Sequence, residues 1–182
     1  EEVIDRDIAL AVSTFAPGSE IVRDGQVFPV VGVADFEPVG YGKPRQVDDP
    51  LRKRQKIGLC STCSHLDLRP DQHVACPICH ETTYRTVEMG EPAGFRADSP
   101  RDFDGSFSWS ARAVLARATA QLSELGRMSW RAATVYRGPG MRYVINDNAG
   151  KAFTFVPDRG GWGGYRIAPK GSTIGRTVAL GA

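Results

Sequence analysis

The chain has 182 residues, of which 41% are hydrophobic and 24% are charged, a composition typical of folded globular proteins. No apolar run approaches the roughly 20 residues that a membrane span needs, so composition argues against both disorder and membrane insertion. Twenty glycines and twelve prolines indicate many turns and short strands. We therefore predict a β-rich architecture, in one domain or two small ones.

The net charge of +2 is distributed unevenly along the chain. Residues 1–50 hold ten acidic and four basic side chains, a net charge of −6, whereas residues 51–182 hold eleven acidic and nineteen basic ones, a net charge of +8. Any polyanionic partner is therefore expected to meet the second part of the chain. The alternative is a solvated surface with scattered charge.

The first fifty residues predict a helix, a hairpin and a loop. Apolar residues at helical spacing predict a helix over residues 5–15, ending before Pro17. Asp24 and Gly25 lie between two β-branched runs and predict a tight hairpin turn. Pro29 cannot donate a hydrogen bond, so its strand is expected to lie at an edge or to bulge there. Prolines and glycines then predict a loop over residues 36–50.

A basic run directly precedes the first cysteine pair. Such a run is usually only solvated, but next to a rigid metal site it would be held in place and could contact phosphates. Two more arginines lie further along, on a surface of mostly small residues. The predicted nucleic-acid contacts are Arg52, Lys53, Arg54, Lys56, Arg112 and Arg117.

All four cysteines lie within twenty consecutive positions, in two Cys-x2-Cys pairs separated by twelve residues. Each pair places two sulfurs on one side of a tight turn, so the two pairs together predict a tetrahedral thiolate cage for Zn2+. Because such a cage leaves no open position for water or substrate, the sequence predicts a structural role for the ion. The predicted ligands are Cys60, Cys63, Cys76 and Cys79.

Other interpretations of this region have less support. Disulfides are disfavoured because cysteine is sparse and a chain of this length buries a core without staples. A redox dithiol at Cys76 and Cys79 would open a helix, whereas residues 82–87 are strand-like. Since four thiolates complete the site, the flanking histidines are expected to be exposed loop residues. They are His65, His73 and His80.

The last ninety residues predict further strands, at 82–89, 129–136, 142–145 and 152–156, with turn chemistry at 146–151. Residues 107–125 fit both a strand and a helix; we favour a strand to about residue 113 and leave the rest open. Trp162 and Tyr165, in a glycine-rich stretch, are expected to close the end of a small barrel, with base stacking as the alternative.

Motifs for catalysis are missing from the sequence. It has no phosphate-binding Gly-x4-Gly-Lys-Ser/Thr loop, no Gly-x-Ser-x-Gly elbow and no His-Glu-x-x-His helix. Asp102 and Asp104 could hold Mg2+ as part of a nuclease, but two acids without a third ligand make a poor two-metal site. Pairing with Arg101 is the simpler expectation for them.

Several motifs combine into a family resemblance. They are FAPGSE at 15–20 with Val22, Asp24, Gly25 and Gly32; the four cysteines; EPxGFRxD at 91–98; and NDNxGxxF at 146–153. Together they resemble the zinc-binding C-terminal domain of MrfA-type helicases and of the DrmB proteins of the DISARM phage-defence system. The resemblance implies a zinc-stabilised accessory module, attached to or partnered with a DNA-translocating helicase. In that family the sequence would continue past residue 182 with another strand.

These observations predict an α+β, β-rich fold of short-stranded antiparallel sheets or a small barrel, built around the four-cysteine site. Three segments are expected: a helix and hairpin at 1–50, the zinc-binding part at 51–90, and a β-rich part at 91–182 that packs with the first. The predicted function is a non-catalytic, cytoplasmic zinc module that assists a helicase in binding DNA. The alternative is a module that docks on a helicase without touching nucleic acid.

Overall fold

The computed structural model describes residues 4–40, 43–109, 113–118, 126–138, 142–158, 163–170, 172 and 174–182, with the backbone alone at 38, 43, 113–118, 136 and 142. Contacts divide the chain into two compact units. Unit 1 comprises Glu1–Gln55, Val87–Val114 and Val144–Ala182, and unit 2 comprises Lys56–Thr86 and Leu115–Tyr143.

Strands dominate the described residues. In chain order the elements are α1 (Ile8–Thr14), β1 (Glu20–Arg23), β2 (Gln26–Val33), β3 (Phe36–Val39), β4 (Lys43–Gln46), β5 (Leu51–Cys60), β6 (His65–Asp67), a 3-10 turn (Pro70–Gln72), β7 (Tyr84–Pro92), β8 (Phe95–Ala97), β9 (Arg101–Asp102), β10 (Ala113–Ala118), β11 (Gly126–Trp130), β12 (Ala133–Arg137), β13 (Arg142–Asn146), β14 (Phe153–Pro157), β15 (Tyr165–Ile167) and β16 (Arg176–Gly181). No helix in this set is long and apolar enough to cross a membrane.

Helix α1 confirms the predicted helix. Its N-cap is Asp7, whose carboxylate accepts hydrogen bonds from the amides of Ala9 at 3.0 Å and Leu10 at 3.4 Å. Ala11 and Val12 are buried on its inner face. The helix therefore forms because a cap satisfies its first amides and an apolar stripe packs into unit 1.

The predicted hairpin is also confirmed, as β1 paired antiparallel with β2. Asp24 and Gly25 form its turn with φ values of 48° and 74°, the left-handed region that this turn requires. Strand β2 is paired on both flanks, by β1 and by β8 and β9, so it is not an edge strand. The register of β2 against β8 shifts between Val30 and Gly32. The bulge that the sequence predicts at Pro29 therefore lies a short way beyond this residue.

The predicted loop over residues 36–50 is wrong in its first part. Strands β3 and β4 form their own two-stranded antiparallel sheet, with Pro38 opposite Pro44. Proline is tolerated in such a small sheet because each strand can turn its missing donor away from its single neighbour. The prolines that favoured a loop are thus compatible with an edge hairpin.

The core of unit 1 lies between α1 and the strands around β14 and β16. Phe155 is 1% exposed, and its ring centroid lies 6.2 Å from that of Phe153. Leu180 in β16 is fully buried and pairs with Gly90 in β7 and Asn146 in β13. The other buried members of the cluster are Val12, Ala16, Val33, Leu51 and Val178.

The strands at 82–89, 142–145 and 152–156 are confirmed as β7, β13 and β14. Most pairs are antiparallel as predicted, but β7 with β16 and β6 with β10 are parallel. The described strands do not form a closed barrel. The β-rich class is confirmed, and the barrel form of the prediction is wrong.

Two predicted strands differ in detail. The sequence favours a strand that ends at about residue 113. Residues 107–109 form no strand, and residues 110–112 lie outside the described residues. The observed strand, β10, begins at Ala113. The strand predicted at 129–136 is a hairpin, β11 with β12, which turns at Arg131 and Ala132. Arg131 has a φ of 44°. The pattern missed this turn because neither residue is a usual turn former.

Candidate metal centre

The four cysteines of unit 2 come together in space. Their Sγ atoms all lie within 4.8 Å of one another. Cys60 lies 3.5 Å from Cys79, and Cys63 lies 3.6 Å from Cys76, measured between Sγ atoms. Each close pair joins one cysteine from each Cys-x2-Cys motif, so the two motifs face each other as the sequence predicts.

The two motifs share one backbone conformation. The amide of Ser64 donates to the carbonyl of Cys60 at 3.0 Å, and the amide of His80 donates to the carbonyl of Cys76 at 2.9 Å. Ser64 and His80, each directly after its second cysteine, have φ values of 58° and 60°. A turn that needs positive φ usually takes glycine. Because neither position is glycine, the sequence alone gave no signal for this turn.

The sulfur positions fit a tetrahedral metal ion. Zn–S bonds of about 2.3 Å place the sulfurs of a regular tetrahedron about 3.8 Å apart, close to the 3.5 Å and 3.6 Å of the two nearest pairs. All four cysteines are free, and these separations far exceed the S–S length of about 2.0 Å in a disulfide. The four cysteines therefore lie close enough to hold a metal ion.

The four thiols and their surroundings strongly shift the pKa values of the cysteines. Burial by itself would raise the pKa of Cys60, but the amides of Cys63 and Thr62 and the hydroxyl of Thr83 lower it to about 6. The amide of Glu81 favours the thiolate of Cys79, yet burial and the neighbouring thiols raise its pKa to about 12. Several thiolates crowded this closely repel one another unless a cation lies between them.

A hydrogen-bonded layer supports the cysteine site. Tyr84 is 8% exposed and packs against Cys60 and Cys76. Its hydroxyl donates to Asp67 at 2.8 Å, while His73 Nδ1 lies 2.9 Å from the same carboxylate oxygen. The Tyr84 ring covers Gly58, where an added Cβ would lie 2.0 Å from the hydroxyl oxygen. Only glycine at this position leaves room for the ring.

The three histidines occupy different environments. His73 and His80 are exposed as predicted, but the prediction for His65 is wrong, because it is 9% exposed within β6. Burial lowers the pKa of the His65 imidazole. The only candidate metal group within the described residues consists of the four cysteines, without any histidine.

The basic run of β5 lies in exposed positions, but each of its bases has an acidic partner. Arg52 Nε donates to Asp35 at 3.1 Å and Lys53 Nζ donates to Glu91 at 2.9 Å. The remaining pairs are Arg54 with Asp49, and Lys56 with Asp71 at 3.9 Å. The positive charge of the run is therefore partly neutralised within the chain.

The other predicted nucleic-acid contacts are less defined. Arg112 lies outside the described residues. Arg117 lies in β10, where the backbone places it opposite His65 of β6. Trp162 also lies outside the described residues. Tyr165 is partly buried against the core of unit 1, with its ring centroid 6.5 Å from that of Phe155.

Asp104 pairs with its neighbours. Its carboxylate accepts from the Ser106 hydroxyl at 2.7 Å and from Arg101 at 3.3 Å. The Ser106 hydroxyl and amide lower the pKa of Asp104 to about 2. Neither Asp102 nor Asp104 belongs to a metal-ligand group in the part of the chain that the structure describes.

Comparison with known proteins finds no family model, no curated protein and no solved structure that matches this chain. The resemblance to the MrfA-type zinc-binding domain therefore stays a prediction from motifs. The finding that stands without it is the four-cysteine cluster of unit 2.

Proposed function

We propose that this chain is a non-catalytic module in which Zn2+ is a structural element of unit 2. The observation that supports this most directly is the set of four Sγ atoms within 4.8 Å of one another. Four thiolate ligands fill a tetrahedral zinc site completely, so no position is left for a substrate or an activated water. Zn2+ fits because soft thiolates in tetrahedral geometry favour it over Mg2+ or Ca2+.

The wider role that we propose is assistance to a DNA-handling helicase assembly, fused to the motor or partnered with it. Two features of the sequence support it: the motifs that resemble those of the MrfA-type domain, and the net charge of +8 over residues 51–182. A reducing cytoplasm suits this role because it keeps the thiolates available for metal.

Metal analysis tests the structural part. We expect about one Zn2+ per chain in purified protein, and Co2+ in its place should give the visible absorption of a tetrahedral thiolate site. Replacing Cys60 and Cys76 with serine should abolish binding. Ser61→Ala, an exposed change within the same turn, serves as the matched control. Protein with full structure and no bound metal would contradict the proposal.

A second candidate function is docking on a protein partner without any contact to nucleic acid. The observation that favours it is the pairing of all four bases of the β5 run with acidic side chains. A paired base attracts phosphate less than a free one, because its partner cancels part of its field.

Salt dependence separates the two candidates. If the chain holds DNA, its affinity for single-stranded and duplex oligonucleotides falls steeply as ionic strength rises, because counterions are released on binding. If it only docks on protein, no such salt-sensitive binding is found. Fluorescence anisotropy with labelled oligonucleotides at several salt concentrations gives the answer.

A further inference from the structure

In the β11–β12 hairpin, residues 126–137 of unit 2, every side chain that the structure describes is exposed. Among the described strands the hairpin pairs with no other strand and forms a separate two-stranded sheet. Trp130 is 78% exposed, Met128 is 68% exposed and Val135 is 54% exposed. Large apolar side chains so exposed on a hairpin indicate a contact surface.

The register of the hairpin sorts its side chains onto two faces. Met128 is opposite Val135 and Trp130 is opposite Ala133, so these residues share one face. Ser129 is opposite Thr134, and their hydroxyl oxygens lie 3.5 Å apart on the other face. The first face thus carries Met128, Val135 and Trp130, with Trp130 beside the turn. Arg137 lies at the far end of the same face, whereas Arg127 lies on the other face.

The hairpin is also positively charged and has no acidic residue. Residues 126–138 carry three bases, Arg127, Arg131 and Arg137, and no aspartate or glutamate. None of these arginines forms an ion pair within the described part of the chain, whereas every base of the β5 run does. The hairpin therefore carries positive charge that no acidic side chain among the described residues neutralises.

We propose that the β11–β12 hairpin binds single-stranded nucleic acid, with a base stacked on Trp130 and phosphates held by Arg131, at the turn, and Arg137, on the same face as Trp130. An exposed aromatic ring among basic side chains is the general device for binding such strands without sequence preference. From residue 126 to residue 130 the hairpin spans about 13 Å, the axial length of about four stacked nucleotides. This proposal rests on the DNA-assisting function proposed above.

Charge argues against a second copy of the chain as the occupant of this surface. Two hairpins packed by their Trp130 faces would bring Arg131 and Arg137 of both copies together with no acidic residue between them, because the hairpin contains none. Like charges so placed destabilise a complex. A polyanion instead offers a phosphate to each guanidinium and a base to the indole ring.

Removal of the indole ring is the first test. A labelled thymidine oligonucleotide of about eight residues is titrated with the whole chain, and Trp130→Ala should weaken binding by about 5- to 150-fold, the range for loss of one stacked base. Trp130→Phe should retain most of the affinity, since it keeps a ring. Trp109→Ala removes a tryptophan that is 60% exposed in unit 1 and should leave affinity unchanged.

The salt slope is the second test. Changing Arg131 and Arg137 together to glutamine should reduce the slope of log affinity against log salt by about 1.4, for two lost phosphate contacts on a single strand. Changing Arg52 and Arg54 to glutamine removes the same charge and should reduce the slope less. Zinc content and circular dichroism of each variant establish that it is folded.

The outcomes distinguish this proposal from the function on which it rests. If the wild-type chain binds the oligonucleotide and the hairpin variants bind equally well, the hairpin proposal is wrong and the DNA-assisting function stands. If the wild-type chain binds no nucleic acid, both fail. Concentration-dependent self-association in sedimentation that Trp130→Ala abolishes would assign the surface to a second copy and overturn the proposal.

Discussion

The two units of this chain differ in the interactions that stabilise each of them. Unit 1 buries a continuous cluster of aliphatic and aromatic side chains between a helix and several strands. Among the described residues of unit 2, few large apolar side chains are buried; they are Ile57, Leu59, Leu66, Tyr84 and Tyr143. The cysteines of unit 2 take the place of a larger apolar core. Small units that cannot bury enough apolar surface commonly depend on a metal ion. The contrast teaches that unit 1 is stabilised by a large apolar core, whereas under the proposed function unit 2 depends on a metal ion held by its four cysteines.

Metal removal should give the largest effect. Apparent metal-binding free energies of structural zinc sites are about 10–16 kcal/mol and act as folding free energy, so a strong chelator should unfold unit 2. Hydrogen exchange should show amides of residues 57–67 losing protection while those of β2 and β14 keep theirs. Equal loss in both units would show that they do not differ in this way.

Phe155→Ala should destabilise unit 1 by about 3–5 kcal/mol, because the ring is 1% exposed and its removal leaves a cavity. Zinc content at low temperature should stay unchanged, since the ring belongs to the core of unit 1. Denaturant unfolding and metal analysis measure the two effects. Ile167→Ala, at a residue 36% exposed on β15, is the control with a small expected change. Loss of zinc from the Phe155→Ala variant would contradict the contrast.

Tyr84→Phe should cost about 1.5–3 kcal/mol in unit 2, because it removes one of the hydrogen bonds to the charged Asp67 carboxylate. Burial, followed by the hydrogen bond to Asp67, raises the pKa of Tyr84 above its usual value of 10. When the pKa of a group is higher in the folded protein than in the unfolded chain, the group stabilises the fold fully at pH values below its unfolded pKa. This stabilisation is lost as the pH rises through the folded pKa. The stability difference between wild type and variant should therefore stay constant up to about pH 10 and shrink above it. Thermal melting from pH 8 upward checks this, and a difference that grows above pH 10 would refute it.

Arg52→Gln should have the smallest effect, less than about 1 kcal/mol, because exposed ion pairs contribute little in water. The Arg52 side chain is 57% exposed although its partner Asp35 is only 10% exposed. Added salt should reduce the difference further. Chemical denaturation at low and high salt measures it. A loss of several kcal/mol would mean that the pair is a main stabilising element of unit 1.

Sequence reasoning succeeded where a feature depends on residues close together in the chain. The spacing of Cys60, Cys63, Cys76 and Cys79 predicted their clustering, which the structure shows. The pair Asp24 and Gly25 predicted the β1–β2 turn, because few residues accept positive φ. Helix α1 followed from its apolar stripe. In each case the energy that selects the conformation comes from neighbours within a few positions.

Sequence reasoning failed where the environment of a residue depends on a partner that lies far away in the chain. Three of the β5 bases meet acids from positions 35, 71 and 91, which no local pattern brings together. His65 is buried by packing within β6, although its place between cysteine motifs favoured exposure. Arg131 turns the β11–β12 hairpin without a turn-forming residue, since cross-strand pairing outweighs local preference there.

The amino-acid sequence by itself determined the clustering of the four cysteines, the β-rich character and the first helix and hairpin, because spacing, composition and turn chemistry act locally. Tertiary structure alone decided which bases stay free of acidic partners. It also left Trp130 on an exposed hairpin, because ion pairing and burial depend on distances between segments that lie far apart in the chain.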